Sequence, residues 1–158
     1  MSQSRPDPNR YVIQTPAPDR AAERLRRLGE VERFDGKPEL LLLHHAASDP
    51  RDGWLEVVSV LEPSEGATPV LLDEDGGEHF PTGEILVRFE TAPTDDELAR
   101  FAGEHNLEAP RRNAYAPEQA SFRPRGRSYL PDLVGSIGQA SGVRRAWAGI
   151  LSRFRRGA

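Results

Sequence analysis

Apolar positions come in short bursts along this chain, and their spacing changes from burst to burst. Tyr11-Val-Ile-Gln-Thr15 predicts a strand, stopped by Pro16 and Pro18. Asp19 is placed to cap a helix running to about Leu28, with Ala21, Ala22, Leu25 and Leu28 on one face and Gly29 ending it. A short strand over Val31 to Phe34, a turn at Asp35-Gly36-Lys37-Pro38 and a strong strand over Glu39 to His45 follow. Asp49-Pro50-Arg51-Asp52 can start a second helix, with Trp54, Leu55, Val58 and Leu61 at helical spacing. Ala67 to Leu72 then predicts a strand, and Asp73-Glu-Asp-Gly-Gly77 a turn.

The second half repeats this order. Glu84-Ile-Leu-Val-Arg-Phe-Glu90 alternates as a half-buried strand, with Ile85, Val87 and Phe89 on one side. Thr94-Asp-Asp-Glu97 is a capping box for a helix that turns Leu98, Phe101 and Ala102 inward. Leu107 to Asn113 and Gln119 to Arg125 predict a strand pair, and Ser128 to Ala140 a helix with Pro131 in its first turns. Gly142 breaks that helix, and Val143 onward can close the sheet. The expected fold class is therefore α+β: two ferredoxin-like βαββαβ antiparallel sandwiches, each with two helices on one face. The expected layout is a disordered arm over 1–10, a first subdomain over 11–72, a second over 78–148 and a C-terminal tail over 149–158.

The 158 residues are 37% apolar by the strict count, with 14 Gly and 14 Pro, which is ordinary for a globular chain. There is no cysteine, so disulfides, thiol nucleophiles and thiolate metal sites are excluded. No apolar h-region follows Met1, and runs such as Leu40 to Leu43 are far short of a membrane span; a cytoplasmic protein is expected. The net charge of −4 hides a segregation. Residues 1–110 hold 11 Lys+Arg against 23 Asp+Glu, whereas residues 111–158 hold ten Arg against Glu118 and Asp132. One molecule thus carries an acidic part and a basic part.

Catalytic chemistry needs a converging constellation, and the sequence supplies none. Adjacent His44 and His45 on a strand point to opposite faces, so they read as strand-end polar residues rather than a chelate. H-E-x-x-H, G-x-S-x-G and P-loop patterns are absent, and the loop Asp73 to Gly77 lacks the later bidentate acid of a calcium loop. The expectation is a protein that is not an enzyme, with no cofactor and no metal. Two binding alternatives stay open. Arg111, Arg112, Arg123, Arg125 and Arg127 near Tyr115, Phe122 and Tyr129 suit a nucleic-acid module, although the acidic first half and the lack of a stacking motif on the central strands weigh against it. Val143, Ala146, Trp147, Ile150, Leu151 and Phe154 fall at helical spacing among arginines, which suits a basic amphipathic helix for a membrane or a partner's groove. The same residues also fit a helix docked on its own domain, or a closing strand with a tail.

Thr82-Gly-Glu-Ile-Leu-Val-Arg-Phe89, Thr94-Asp-Asp-Glu-Leu98 and Glu104-His-Asn-Leu107 together resemble the N-terminal propeptide domain of subtilisin-like serine proteases. Pro69 to Gly76 and Phe80-Pro-Thr82 resemble the lead-in of some bacterial precursors, so the likeness covers residues 67–148. No Asp, His and Ser protease motifs follow within these 158 residues. The resemblance therefore implies a stand-alone inhibitor, or a folding chaperone, of a separate subtilisin-like serine protease. Its sheet face would pack on two surface helices of the protease, and the segment after the last strand would lie in the substrate cleft. By that likeness Glu118, with Tyr115 in the same turn, would cap protease helix N-termini. The arm would leave at Ala148 and Gly149, anchor through Ile150, Leu151 and Phe154, and end at Ala158.

Overall fold

In a computed structural model describing residues 5–47 and 49–151, the chain is α+β, with four helices and two antiparallel sheets among those residues. It divides into two compact units, one of residues 1–82 with 150–158 and one of residues 83–149. The stretch 78–82, expected at the head of the second subdomain, thus belongs to unit 1.

Unit 1 runs β1 (Arg5–Gln14), α1 (Pro18–Leu25), β2 (Glu30–Phe34), β3 (Lys37–His44), α2 (Pro50–Val58), β4 (Gly66–Leu72) and β5 (Glu78–His79). Its sheet has the order β2-β3-β1-β4-β5. The expected arm over 1–10 is corrected for residues 5–10, which form the first part of β1. Pro6 pairs with Leu71 of β4, and the ladder is then interrupted before Tyr11 meets Pro69. That interruption absorbs the prolines, which cannot donate to a ladder. Asp7 stabilises it by accepting from the Asn9 amide and from Arg10 Nε, both at 2.8 Å.

Both faces of this sheet are apolar. Tyr11 and Ile13 pair with Leu43 and Leu41, while Val12 pairs with Leu42, so alternate positions serve opposite faces. One face lies under α1 and α2, which contribute Ala21, Ala22, Leu25, Trp54, Val57 and Val58. Two close approaches fix this layer: a Cβ on Gly53 of α2 would sit 2.0 Å from the Tyr11 hydroxyl, and one on Gly29 would sit 1.7 Å from the His44 carbonyl oxygen. The Trp54 indole donates to the Ala67 carbonyl at 2.8 Å. On the other face Val12, Leu40, Leu42 and Val70 cluster with Phe34 and Phe80, and Leu151 packs against them.

Two local expectations are corrected here. Asp19 does not cap α1; Ala17 holds the N-cap position, and Asp19 instead accepts from Arg33 at 2.6 Å. In α2 Leu55 is 52% exposed and Val57 takes the buried position.

Unit 2 holds β6 (Pro81–Phe89) from residue 83 on, α3 (Asp95–Glu104), β7 (Leu107–Arg112), β8 (Gln119–Pro124), α4 (Leu130–Gly138) and β9 (Val143–Ile150) up to residue 149, with sheet order β7-β8-β6-β9. The capping box forms as the sequence predicts: Thr94 Oγ1 accepts from the Glu97 amide, and the Glu97 carboxylate accepts from the Thr94 amide. Ile85, Val87 and Phe89 face α3 and α4 in one core with Leu98, Phe101, Phe122, Leu130 and Ile137. Gly142, at φ +81°, turns the chain into β9. The helical alternative is excluded over Val143–Ile150, because these residues are strand.

Candidate binding surface

The alternation that buries Ile85 and Val87 turns Leu86 and Arg88 to the opposite face of the unit 2 sheet. Ser121 lies opposite Leu86 and Gln119 opposite Arg88 in the β6–β8 pairing. From β7, Arg111 lies opposite the same Ser121, and Glu108 lies opposite Arg123. On β9, Ala146 and Ala148 pack toward the core, and Arg145 stacks its guanidinium 5.0 Å from the centre of the Trp147 ring. The helix-free face is thus a small apolar and hydroxyl strip edged by arginines. Arg88 reaches Glu118 at 3.5 Å, Arg123 reaches Glu84 at 3.6 Å and Arg125 reaches Glu108 at 3.7 Å. These are long, exposed pairs that contribute little to stability.

At one end of this sheet the β7–β8 loop is held by hydrogen bonds from its own strands and from α3's approach. Arg112 is the hub: it donates to the Pro117 carbonyl at 2.8 Å, to the Pro93 carbonyl at 2.6 Å and to Asp95 at 3.1 Å. The Tyr115 amide donates to Asn113 Oδ1 at 2.8 Å, and the Asn113 amide to the Gln119 carbonyl at 2.9 Å. On this braced loop Tyr115 is 98% exposed. Glu118 anchors the loop's far end, its carbonyl accepting from the Phe89 amide at 2.7 Å. The structure therefore brings Tyr115, Glu118 and Arg88 to one region.

The proposed arm residues fare differently. Ala148, Gly149 and Ile150 are part of β9 rather than a departing tail. The Leu151 amide donates to the Phe80 carbonyl at 3.0 Å, and its side chain joins the unit 1 cluster. These four are corrected as arm residues, because their backbone or side chains are already engaged. Phe154 and Ala158 lie outside the described residues.

The histidines have partners that explain them locally. His44 Nε2 lies 2.5 Å from Glu32; His45 bonds the Leu28 carbonyl at 3.1 Å and Glu56 at 2.9 Å; His79 lies 3.0 Å from Asp73. Asp73 closes the turn before β5 by accepting from the Gly77 and Asp75 amides. The Gly77 amide and then His79 hold its carboxyl below the ordinary aspartate value. No group of three or more His, Asp or Glu capable of holding a metal occurs among the described residues. A shallow groove of about 200 Å³ on the helix side of unit 2 is lined by Phe89, Arg100, Phe101, Glu104 and Gly142. Its walls are core edge and solvated helix charges.

The arginine strip was partly visible in the sequence as a basic segment. Its sharing with Leu86 and Arg88 was not, since that depends on β6 lying between β8 and β9. No helix among the described residues is long and apolar enough to cross a membrane. Comparison with known proteins returns no match to a family model, to a curated protein or to a solved structure.

Proposed function

We propose that this chain is a non-enzymatic binding protein that inhibits a separate subtilisin-like serine protease, and that each unit is a ferredoxin-like split βαβ sandwich. The strand orders β2-β3-β1-β4 and β7-β8-β6-β9 support the fold reading, since both units share one connectivity. The functional reading rests on the likeness of Glu84 to Phe89 and Thr94 to Leu107 to subtilase propeptides. The observation that carries it is Tyr115, almost fully exposed on a loop braced by Arg112, with Glu118 beside it. An exposed tyrosine on a braced backbone has only two side-chain torsions to order on docking, which suits an interface anchor. Contact is made by this loop and the helix-free sheet face.

The test is titration of the full chain into a purified subtilisin-like protease from the same cell, reading cleavage of a chromogenic peptide. Stoichiometric loss of activity is expected. Unchanged rates at large molar excess overturn the proposal.

A further inference from the structure

Unit 2 is electrically neutral overall, with nine arginines and nine acidic residues between 83 and 149. Their layout is not neutral. Asp95, Asp96, Glu97 and Glu104 are exposed on α3, whereas Arg88, Arg111, Arg123 and Arg145 are exposed on the sheet strands. Arg88 and Arg123 have carboxylates of their own, but Arg111 and Arg145 have none within ion-pair distance among the described residues. These two sit on β7 and β9, the two edge strands, with Ser121 and Leu86 on the strands between them. Three strand spacings separate the edges, roughly 14 Å.

We infer that this face binds an acidic protein surface, in which separate carboxylates, one for each edge strand, flank an apolar contact. The inference deepens the proposed function by naming the chemistry of the partner's surface, and it rests on that reading only for the partner's identity. Arg145 is pre-organised for the task. Held over the Trp147 ring, 5.0 Å from its centre, its guanidinium has lost part of its freedom, and with no carboxylate within ion-pair distance among the described residues it keeps N–H donors for one. Glu84, Glu108 and Glu118 lie among these arginines and repel an unbroken phosphate backbone more than two separate carboxylates, so a protein suits the surface better than single-stranded nucleic acid. Leu86, half-buried between the arginines, offers apolar contact rather than charge.

The experiment follows the Trp147 indole N–H by NMR in the full chain. The probes are a soluble Glu-rich peptide with one central Leu, its Gln-for-Glu analogue, and an oligothymidylate of similar charge. The Glu peptide should shift the signal in a salt-dependent manner, and the Gln analogue should not. Arg111→Ala and Arg145→Ala should each weaken the peptide about tenfold, roughly 1.4 kcal/mol. Arg100→Ala, on α3, should leave binding unchanged. Both substituted arginines are exposed, and a thermal melt of each variant verifies folding. An absent shift, an oligonucleotide that binds as tightly as the peptide, or low-salt self-association through Arg111 and Arg145 each overturns the inference. Protease inhibition is measured on the same samples. Peptide binding that persists where inhibition is absent supports the surface assignment and removes only the protease as its partner.

Discussion

The Thr15 hydroxyl donates to Glu65 Oε2 at 2.5 Å, joining the end of β1 to the turn before β4 across fifty residues of sequence. Arg24 of α1 binds the other oxygen of the same carboxylate at 2.7 Å, and the Glu62 amide does so at 2.8 Å. The Glu65 side chain is 2% exposed, so its charge is tolerated only because these donors surround it. Glu65→Ala leaves Thr15 and Arg24 without their acceptor. A loss of about 2–3 kcal/mol is expected, read as a lower denaturant midpoint. A midpoint unchanged from the parent would mean the carboxylate is dispensable.

Phe89 and Phe101 meet edge to face, with ring centres 5.0 Å apart, in the core of unit 2 where it borders the groove beside α3. Phe89→Ala removes the larger part of that contact and opens a cavity against α3. A cost of about 3–5 kcal/mol is expected in thermal or chemical unfolding.

Two carboxyls predict the acid limb of stability. Backbone and side-chain hydrogen bonds with Thr94 hold Glu97 below the ordinary glutamate value, and the Gly77 amide with His79 does the same for Asp73. A carboxyl with a folded pKa below its unfolded value stabilises the fold above the unfolded value. That stability is lost as pH falls through the folded pKa. Stability should therefore decline below the ordinary carboxyl range, and Glu97→Gln with Asp73→Asn should flatten that decline. Urea midpoints measured between neutral and strongly acid pH check this. Thr94→Ala should also cost about 1 kcal/mol at neutral pH, through loss of the cap.

Tyr115→Ala and Glu118→Gln test the loop. Neither side chain is in the core, so melting should stay near that of the parent while protease inhibition weakens by about tenfold or more for Tyr115→Ala. Inhibition constants that match the parent for both variants would move the contact away from this loop.

Two truncations separate structure from tail. Ending the chain after Ala148 removes two residues of β9 and the Leu151 contact with Phe80, so destabilisation is expected. Ending it after Leu151 keeps both and should melt above the shorter truncation. An inhibition loss in this second truncation, with folding retained, assigns a cleft-binding part to residues 152–158.

Local signals were legible where short-range chemistry decides structure. The Thr94–Glu97 box and the alternation through Ile85, Val87 and Phe89 needed only their own neighbourhoods. Val143 to Ile150 stayed open between strand and helix because its strand alternation is between large and small residues, Arg145 and Trp147 against Ala146 and Ala148, which a hydrophobicity pattern does not register. Leu40 to Leu43 carried an unused clue: a run with no polar alternation signals a strand buried on both faces, as Leu41 and Leu42 show. The proposed binding face was illegible, because Arg111, Leu86 and Arg145 share one sheet only through the order of strands far apart in sequence.

The hydrogen bond from Leu151 to Phe80 also sets an order of events during synthesis. Every residue of unit 2 lies between residues that unit 1 requires, so the ribosome delivers 83–149 before it delivers Leu151. The unit begun first is completed last. Until Leu151 emerges, the Phe34 and Phe80 side of the nascent unit lacks one of its apolar partners and is open to unwanted association. A chain ending after Ile150, which keeps β9 but lacks Leu151, should therefore bind a hydrophobic dye more strongly than the full chain.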